Sequence, residues 1–122
     1  MEKQIKEPLC IIRDIYRLIN DFESELQSGC GVGLNEGMLL CSLSKMEKCT
    51  SGQIAELLGL TSSNASKVII SAEKKRLIER IVGKEDKRQM LFMLTPEGKK
   101  CIKTIKCNPE NIIQLIHKIK EI

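Results

Sequence analysis

The sequence has no long hydrophobic run. No apolar stretch approaches the roughly 20 residues that a membrane-spanning helix requires. The first residues, Met1–Gln4, also lack the hydrophobic segment of a signal peptide. We therefore expect a soluble, cytoplasmic protein without a membrane partner.

The sequence is also poor in the motifs of catalysis and of metal binding. It contains one histidine, His117, and its six cysteines form no CxxC pair, so no set of ligands has the spacing of a zinc site. It has no glycine-rich phosphate-binding loop, no HExxH motif and no nucleophile with a plausible base. These absences predict that the chain binds no metal or other cofactor and is not an enzyme.

Cysteine itself is comparatively abundant. The cysteines lie at irregular spacings, mostly within apolar or helical patterns, which favours reduced thiols over a disulfide scaffold. They are Cys10, Cys30, Cys41, Cys49, Cys101 and Cys107.

The length of 122 residues predicts a single domain, residues 1–122. Hydrophobic residues make up 42% of the chain and charged residues 30%, a globular composition that excludes disorder for most of its length.

The positive charge is concentrated in one segment. Residues 61–100 contain ten Lys or Arg and five acids, a balance of +5, although the whole chain carries only +4. Such a block suggests a polyanionic partner, and solvated helix faces would give the same composition.

The N-terminal third of the sequence predicts one helix and a loop. Apolar residues recur at helical spacing from Ile5 to Leu26 and cover a wide arc. A helix at a chain end that is apolar on two faces is expected to pack partly against another subunit. Residues 28–33 have three glycines in five positions, which predicts a flexible loop.

A helix-turn-helix is predicted next. Asn35 is a candidate cap for a second helix, and Thr50 with Gln53 forms a capping box ahead of a short third helix. Gly59 ends that helix and Thr61 caps a fourth. The inward residues of the fourth helix are expected to be Ala65, Val68, Ile69 and Ala72.

A charged β-hairpin and two further helices complete the prediction. The segments Ile78–Val82 and Met90–Leu94 read as strands joined by a charged turn. Thr95 and Pro96 begin a helix, and Asn108–Pro109 separates it from a last helix with an apolar stripe. The predicted fold class is mainly α with a small β-hairpin wing: a winged helix-turn-helix with N- and C-terminal dimerisation helices.

A helix-turn-helix followed by a basic hairpin is the layout of a winged-helix DNA reader. Short polar side chains and one cation near the start of the fourth helix would allow close approach to base edges and phosphates. These residues are Ser62, Ser63, Asn64, Ser66 and Lys67. They could instead be an ordinary polar helix start, but the adjacent basic hairpin favours DNA binding.

Residues 35–100 resemble the MarR family of bacterial transcriptional regulators. The matching segments are Gln53–Leu60, Lys74–Arg80, Glu85–Arg88 and Leu94–Gly98, in this order and spacing. The resemblance implies a homodimer that binds a pseudopalindromic double-stranded DNA operator, usually as a repressor. Residues 34–96 would form the DNA-binding lobe, and residues 5–28 and 97–122 the helical dimerisation region.

The resemblance also implies roles for single residues. Arg88 would be the wing-tip arginine that enters the minor groove, and Asp86 would orient the loop. Lys84 and Lys87 are further candidate DNA contacts on the wing. The placement of Cys10 is similar to that of the reactive cysteine in the hydroperoxide-sensing branch of the family, although a small buried hydrophobe is the plainer interpretation.

The hypothesis from the sequence is therefore a dimeric, sequence-specific DNA-binding regulator, a repressor released by an effector. One alternative is a winged-helix module that binds protein and never reads DNA. Another is a redox-sensing repressor that uses Cys10. A small-molecule effector bound between the dimerisation helices and the DNA-binding lobe is also considered.

Overall fold

The computed structural model of the chain describes residues 7–107 and 110–122. Within these ranges the chain forms helices and one antiparallel hairpin, which confirms the predicted mainly α fold with a small β-hairpin wing. The elements are α1 (Pro8–Cys30), α2 (Leu34–Met46), α3 (Ser51–Leu58), α4 (Ser62–Lys74), β1 (Ile78–Val82), β2 (Met90–Leu94), α5 (Pro96–Cys107) and α6 (Glu110–Glu121). Ile5 and the Asn108–Pro109 break lie outside the described residues.

Helix α1 extends further than the sequence predicts. Residues 28–30 were expected in a loop, but they are helical, and Gly31 ends the helix with a φ of 73°. A glycine inside a helix costs only about 1 kcal/mol, and Cys30 packs against the hydrophobic core. The loop is therefore confined to residues 31–33.

The predicted cap of α2 is wrong, because the helix begins one residue before Asn35, with Gly33 as its N-cap. The Glu36 carboxylate accepts a hydrogen bond from the Gly33 N–H at 2.9 Å, and the Glu23 carboxylate accepts one from the Leu34 N–H at 2.6 Å. Two carboxylates thus satisfy the unpaired amides at this helix start, and Asn35 is not needed as a cap.

The helix-turn-helix forms as the sequence predicts. The Thr50 hydroxyl accepts from the Gln53 N–H at 3.1 Å, and the Gln53 side chain accepts from the Thr50 N–H at 2.8 Å. Gly59 ends α3 with a φ of 65°. The Thr61 hydroxyl caps α4 by accepting from the Asn64 N–H at 3.1 Å.

The hairpin is tied to the rest of the fold on both sides. Ile78 lies opposite Leu94, and Val82 lies opposite Met90. Cys49, between α2 and α3, exchanges two backbone hydrogen bonds with Phe92 at 2.8 and 3.1 Å. The Thr95 hydroxyl donates to the Arg76 carbonyl at 2.6 Å, which fixes the start of α5 beside the end of α4.

The core lies between α2, the helix-turn-helix, the hairpin and α5. Ala65, Ile69 and Ala72 of α4 are buried as predicted, and Val68 is half-buried. Other buried side chains are Leu39, Leu40, Leu43, Ile54, Ile78, Phe92, Leu94 and Ile102. Helix α1 has no fully buried residue.

One carboxylate joins three parts of the chain. Among the described residues, Glu36 alone is both charged and buried, at 7% exposure. In addition to the Gly33 N–H, it accepts hydrogen bonds from the Lys75 ammonium at 2.7 Å and from the Ser71 hydroxyl at 2.9 Å. The Lys75 ammonium also donates to the Gly31 carbonyl at 3.0 Å. The end of α4 is thereby bound to the turn between α1 and α2.

These hydrogen bonds favour the ionised form of Glu36. Burial by itself would raise the pKa of the carboxyl, but the bonds from Gly33, Lys75 and Ser71 outweigh burial and hold the pKa below its usual value of 4.5. Because the pKa is lower in the folded state, ionised Glu36 stabilises the fold above its usual pKa. That stabilisation is lost as the pH falls through the lowered value.

We expect Glu36→Gln to lower the free energy of unfolding near neutral pH by about 1 to 3 kcal/mol, since an amide cannot accept on both sides and leaves Lys75 without a counter-ion. This difference in stability should narrow as the pH falls below about 4.5, where Glu36 of the unfolded wild-type chain takes up a proton, and should be smallest below the lowered pKa, where Glu36 is neutral in the folded protein as well. Urea unfolding of the wild type and of Glu36→Gln at neutral and acidic pH measures this difference in the free energy of unfolding.

The matched control is Glu73→Gln. Glu73 pairs with Arg80 through two hydrogen bonds of 2.6 and 2.9 Å, but both side chains are more exposed than Glu36. This variant should lose less stability than Glu36→Gln at neutral pH. Equal losses in the two variants, or a Glu36→Gln deficit that does not change with pH, would contradict the assigned role of Glu36.

Candidate nucleic-acid interface

The outward face of α4 is polar near its N-terminus. Because Ala65, Ile69 and Ala72 point into the core, the five residues named from the sequence lie on the remaining surface and are all exposed. They are Ser62, Ser63, Asn64, Ser66 and Lys67. None of their side chains makes a hydrogen bond or ion pair with another described residue.

These side chains have the chemistry that base and phosphate recognition requires. Serine hydroxyls and the Asn64 amide can donate and accept hydrogen bonds, and Lys67 adds a positive charge. The first N–H groups of a helix also favour an anion. The structure thus brings the predicted α4 residues together at one end of one helix.

The turn between β1 and β2, residues 83–89, is held by short backbone contacts. The Gly83 N–H donates to the Gln89 carbonyl at 2.8 Å, and the Gln89 N–H donates to the Asp86 carbonyl at 3.0 Å. A side chain at Gly83 would meet the Asp86 carbonyl oxygen at 2.8 Å, so the close return of the chain requires glycine there. We call residues 83–89 the wing tip.

Asp86 orients the backbone that carries Arg88. Its carboxylate accepts a hydrogen bond from the Arg88 N–H at 3.0 Å and lies 3.6 Å from the Arg88 Nε. The Arg88 side chain is 95% exposed, and an exposed ion pair of that length holds it only weakly. Arg88 can therefore exchange this partner for another anion. Lys84 and Lys87 are exposed on the same wing tip.

The base of the hairpin is fixed to α4 by residues that the sequence analysis missed. Arg80 forms its two hydrogen bonds with Glu73 across the turn after α4, and its guanidinium lies 5.4 Å from the centre of the Phe92 ring. The hydrogen bonds that Arg80 donates to the Glu73 carboxylate raise the pKa of Arg80. The contact between Arg80 and Glu73 depends on a chain reversal at Arg76, whose φ is 60°. The spacing of residues in the sequence therefore does not predict it.

The remaining candidate residues lie elsewhere. Cys10 is a half-buried residue in the first turn of α1, and the neighbouring Arg13 contacts Asp14 at 3.4 Å. His117 is exposed on α6. Residues 7–107 and 110–122 contain no group of three or more His, Cys, Asp or Glu that could hold a metal ion.

The cysteines with described side chains are free thiols. Burial raises the pKa of the Cys49 thiol, and burial together with the neighbouring Cys30 raises that of Cys101. Both therefore favour the protonated, unreactive form. The side chain of Cys107 lies outside the described part.

No helix in the described part of the chain has the length and apolarity that crossing a bilayer would require.

The comparisons with known proteins agree with this architecture. The model of the MarR family matches residues 31–89. A mutant MarR from E. coli, solved in complex with operator DNA, shares 20% sequence identity over 92% of this chain and 76% of its own, with a TM-score of 0.73. The S. aureus MepR mutant bound to an oligodeoxyribonucleotide shares 21% identity over 93% and 84%, with a TM-score of 0.69.

A third structure similar to this chain is Bordetella bronchiseptica BpsR, in a study of how 6-hydroxynicotinic acid regulates its DNA binding. It has 14% identity over 98% of this chain and 84% of its own, with a TM-score of 0.76. The comparison with curated protein sequences gave no significant match.

The matched residues run from the turn before α2 to the end of the wing tip, and MarR-family proteins are transcriptional regulators rather than enzymes. The helix-turn-helix and wing of this chain therefore belong to the MarR family of winged helix-turn-helix transcriptional regulators.

Proposed function

We propose that this chain is a homodimeric repressor that binds a pseudopalindromic DNA operator with α4 in the major groove and the wing tip in the minor groove. The observation that carries the proposal is the unpartnered polar face of α4 together with a wing tip that has three exposed cations. Hydrogen-bonding groups would read bases, and cations would contact the phosphate backbone. The operator complexes of the E. coli and S. aureus relatives support this choice of partner.

The two elements would contribute differently to binding. The minor groove offers a degenerate pattern of donors and acceptors, so Arg88 would add affinity that depends mainly on groove width and charge. Ser63, Asn64 and Ser66 would face the major groove, where each base pair has its own pattern. Lys67 and Lys84 would contact phosphates.

Exposed apolar stripes on the terminal helices support the dimer. On α1, Leu9 is 79% exposed and Tyr16 is 64% exposed. On α6, Ile113 and Ile116 are 50% and 47% exposed, whereas Ile112 and Leu115 on another side are half-buried. Apolar stripes of this kind on a small protein mark an association surface. A second copy of the chain is the proposed partner.

A cleft between α2, β2 and α5 supports release by a small-molecule effector. It has a volume of about 590 Å³, within the range of ligand pockets. Leu43, Leu94 and Ile102 form an apolar floor, and Lys99 and Lys103 line one side. The effect of 6-hydroxynicotinic acid on DNA binding by BpsR supports an effector of this kind.

We expect Arg88→Ala to weaken binding to operator and to scrambled DNA by about tenfold each, or about 1.4 kcal/mol. Lys67→Ala should reduce the slope of log affinity against log salt by about one unit for each phosphate that a monomer no longer neutralises. Fluorescence anisotropy across a salt series measures both, on duplexes selected in vitro from a random library with the wild-type protein.

Lys118→Ala is the matched control, because Lys118 is an exposed cation on α6 and lies on neither α4 nor the wing tip. It should leave affinity and salt slope unchanged. If the folded wild-type protein binds no duplex in preference to scrambled DNA, the proposal is wrong and the protein-binding module gains support. Equal effects of Arg88→Ala and Lys118→Ala would remove the wing tip from the interface.

We expect the double variant Ile113→Glu and Ile116→Glu to sediment as a 13.8 kDa monomer at concentrations where the wild type is a dimer, because two charges would be buried in an apolar interface. Gln114→Glu adds a charge on another side of α6 and should remain dimeric. A double variant that stays both folded and dimeric would contradict the placement of the interface.

A further inference from the structure

Ile70 is an exposed apolar residue on an otherwise polar helix face. It is 48% exposed, although its neighbour Ile69 is buried. Since residues three and four apart share a helix face, Ile70 lies one turn beyond Ser66 and Lys67. Lys74, also exposed, follows one turn later. Ile70 thus lies on one face of α4 between two residues proposed to contact DNA and a further exposed lysine.

Ile70 does not belong to the hydrophobic core of the described chain. The side of α4 that packs on the core consists of Ala65, Ile69 and Ala72, and Ile70 is outside the buried core and the hydrophobic residues packed against it. A single exposed isoleucine is ordinary by itself. Its position between Lys67 and Lys74 places it on the face of α4 that the proposed function assigns to DNA.

The major groove offers an apolar side chain one complementary group. Bases present hydrogen-bond donors and acceptors there, and the C5-methyl group of thymine is the apolar exception. Ile70 is about 12 Å along the helix axis from Ser62, and only about 5 Å from Lys67. A helix that brings Ser63, Ser66 and Lys67 to the groove would bring Ile70 to a neighbouring base pair.

From this placement we infer that Ile70 is a specificity-determining residue that packs against the methyl group of a thymine in each half of the operator. The inference rests on the proposed function and names one base that α4 selects. It adds a contact that depends on shape rather than on hydrogen bonds.

The test removes the methyl group and the side chain separately. Each thymine of the selected duplex is replaced in turn by uracil, which lacks only the C5-methyl group and keeps the same hydrogen-bonding pattern. At one position in each half-site, the wild-type protein should bind the uracil duplex about three- to fivefold more weakly, since one buried methyl group is removed. Ile70→Ala should bind the thymine and uracil duplexes equally well at that position.

Two variants serve as controls. Ile70→Val keeps a branched aliphatic side chain and should retain part of the preference for thymine. Lys67→Ala should show the reduced salt slope but keep the full preference for thymine. Circular dichroism and sedimentation of Ile70→Ala should match the wild type, since the side chain is outside the core.

The outcomes separate this inference from the proposed function. The wild-type protein could bind in a sequence-specific way while Ile70→Ala removes the sensitivity to uracil at no position. That result would overturn the role of Ile70 and leave the proposed function intact. Failure of the wild-type protein to bind any selected duplex would overturn both. A changed sedimentation of Ile70→Ala would assign the side chain to a protein contact instead and would also overturn the inference.

Discussion

The arrangement of this fold depends on a buried carboxylate. Glu36 accepts hydrogen bonds from the first turn of α2, from a hydroxyl on α4 and from the ammonium of Lys75 at the end of α4. Lys75 extends the connection to the carbonyl of Gly31, the residue that ends α1. The direction of α4 relative to α1 is therefore set by directional contacts and not by apolar packing alone, which tolerates small rotations.

The elements that the sequence predicts correctly are those with local signals. Thr50 and Gln53, Gly59, and Thr61 each act within three or four residues of their own position, so the helix-turn-helix can be predicted from spacing alone. The two strands were also predicted with the observed bounds. The polar start of α4 follows from the same reasoning, because once the buried face of a helix is known, its exposed face is known too.

The errors and omissions have a common physical origin in long-range contacts. The residue type of Asn35 predicts a cap, but the amides at the start of α2 are satisfied by Glu23, from α1, and by Glu36. Helix α1 ends later than its glycines predict, because the packing of Cys30 against the core outweighs the low helix propensity of the glycines around it. The contact of Arg80 with Glu73 requires a left-handed residue at Arg76, which a pattern of residue types does not reveal.

The pairing of Cys49 with Phe92 has a consequence for the entropy of the wing. Because β2 is bonded to β1 on one side and to Cys49 on the other, the body of the hairpin is held within the fold. The turn of residues 83–89 is held by its own hydrogen bonds, so the freedom of movement lies mainly in its long side chains. When the wing tip binds a partner, the conformational entropy that is lost is mainly that of a few side chains. The loss costs about 2 kcal/mol for an arginine or lysine that becomes fixed. The backbone, already ordered, contributes little to that loss.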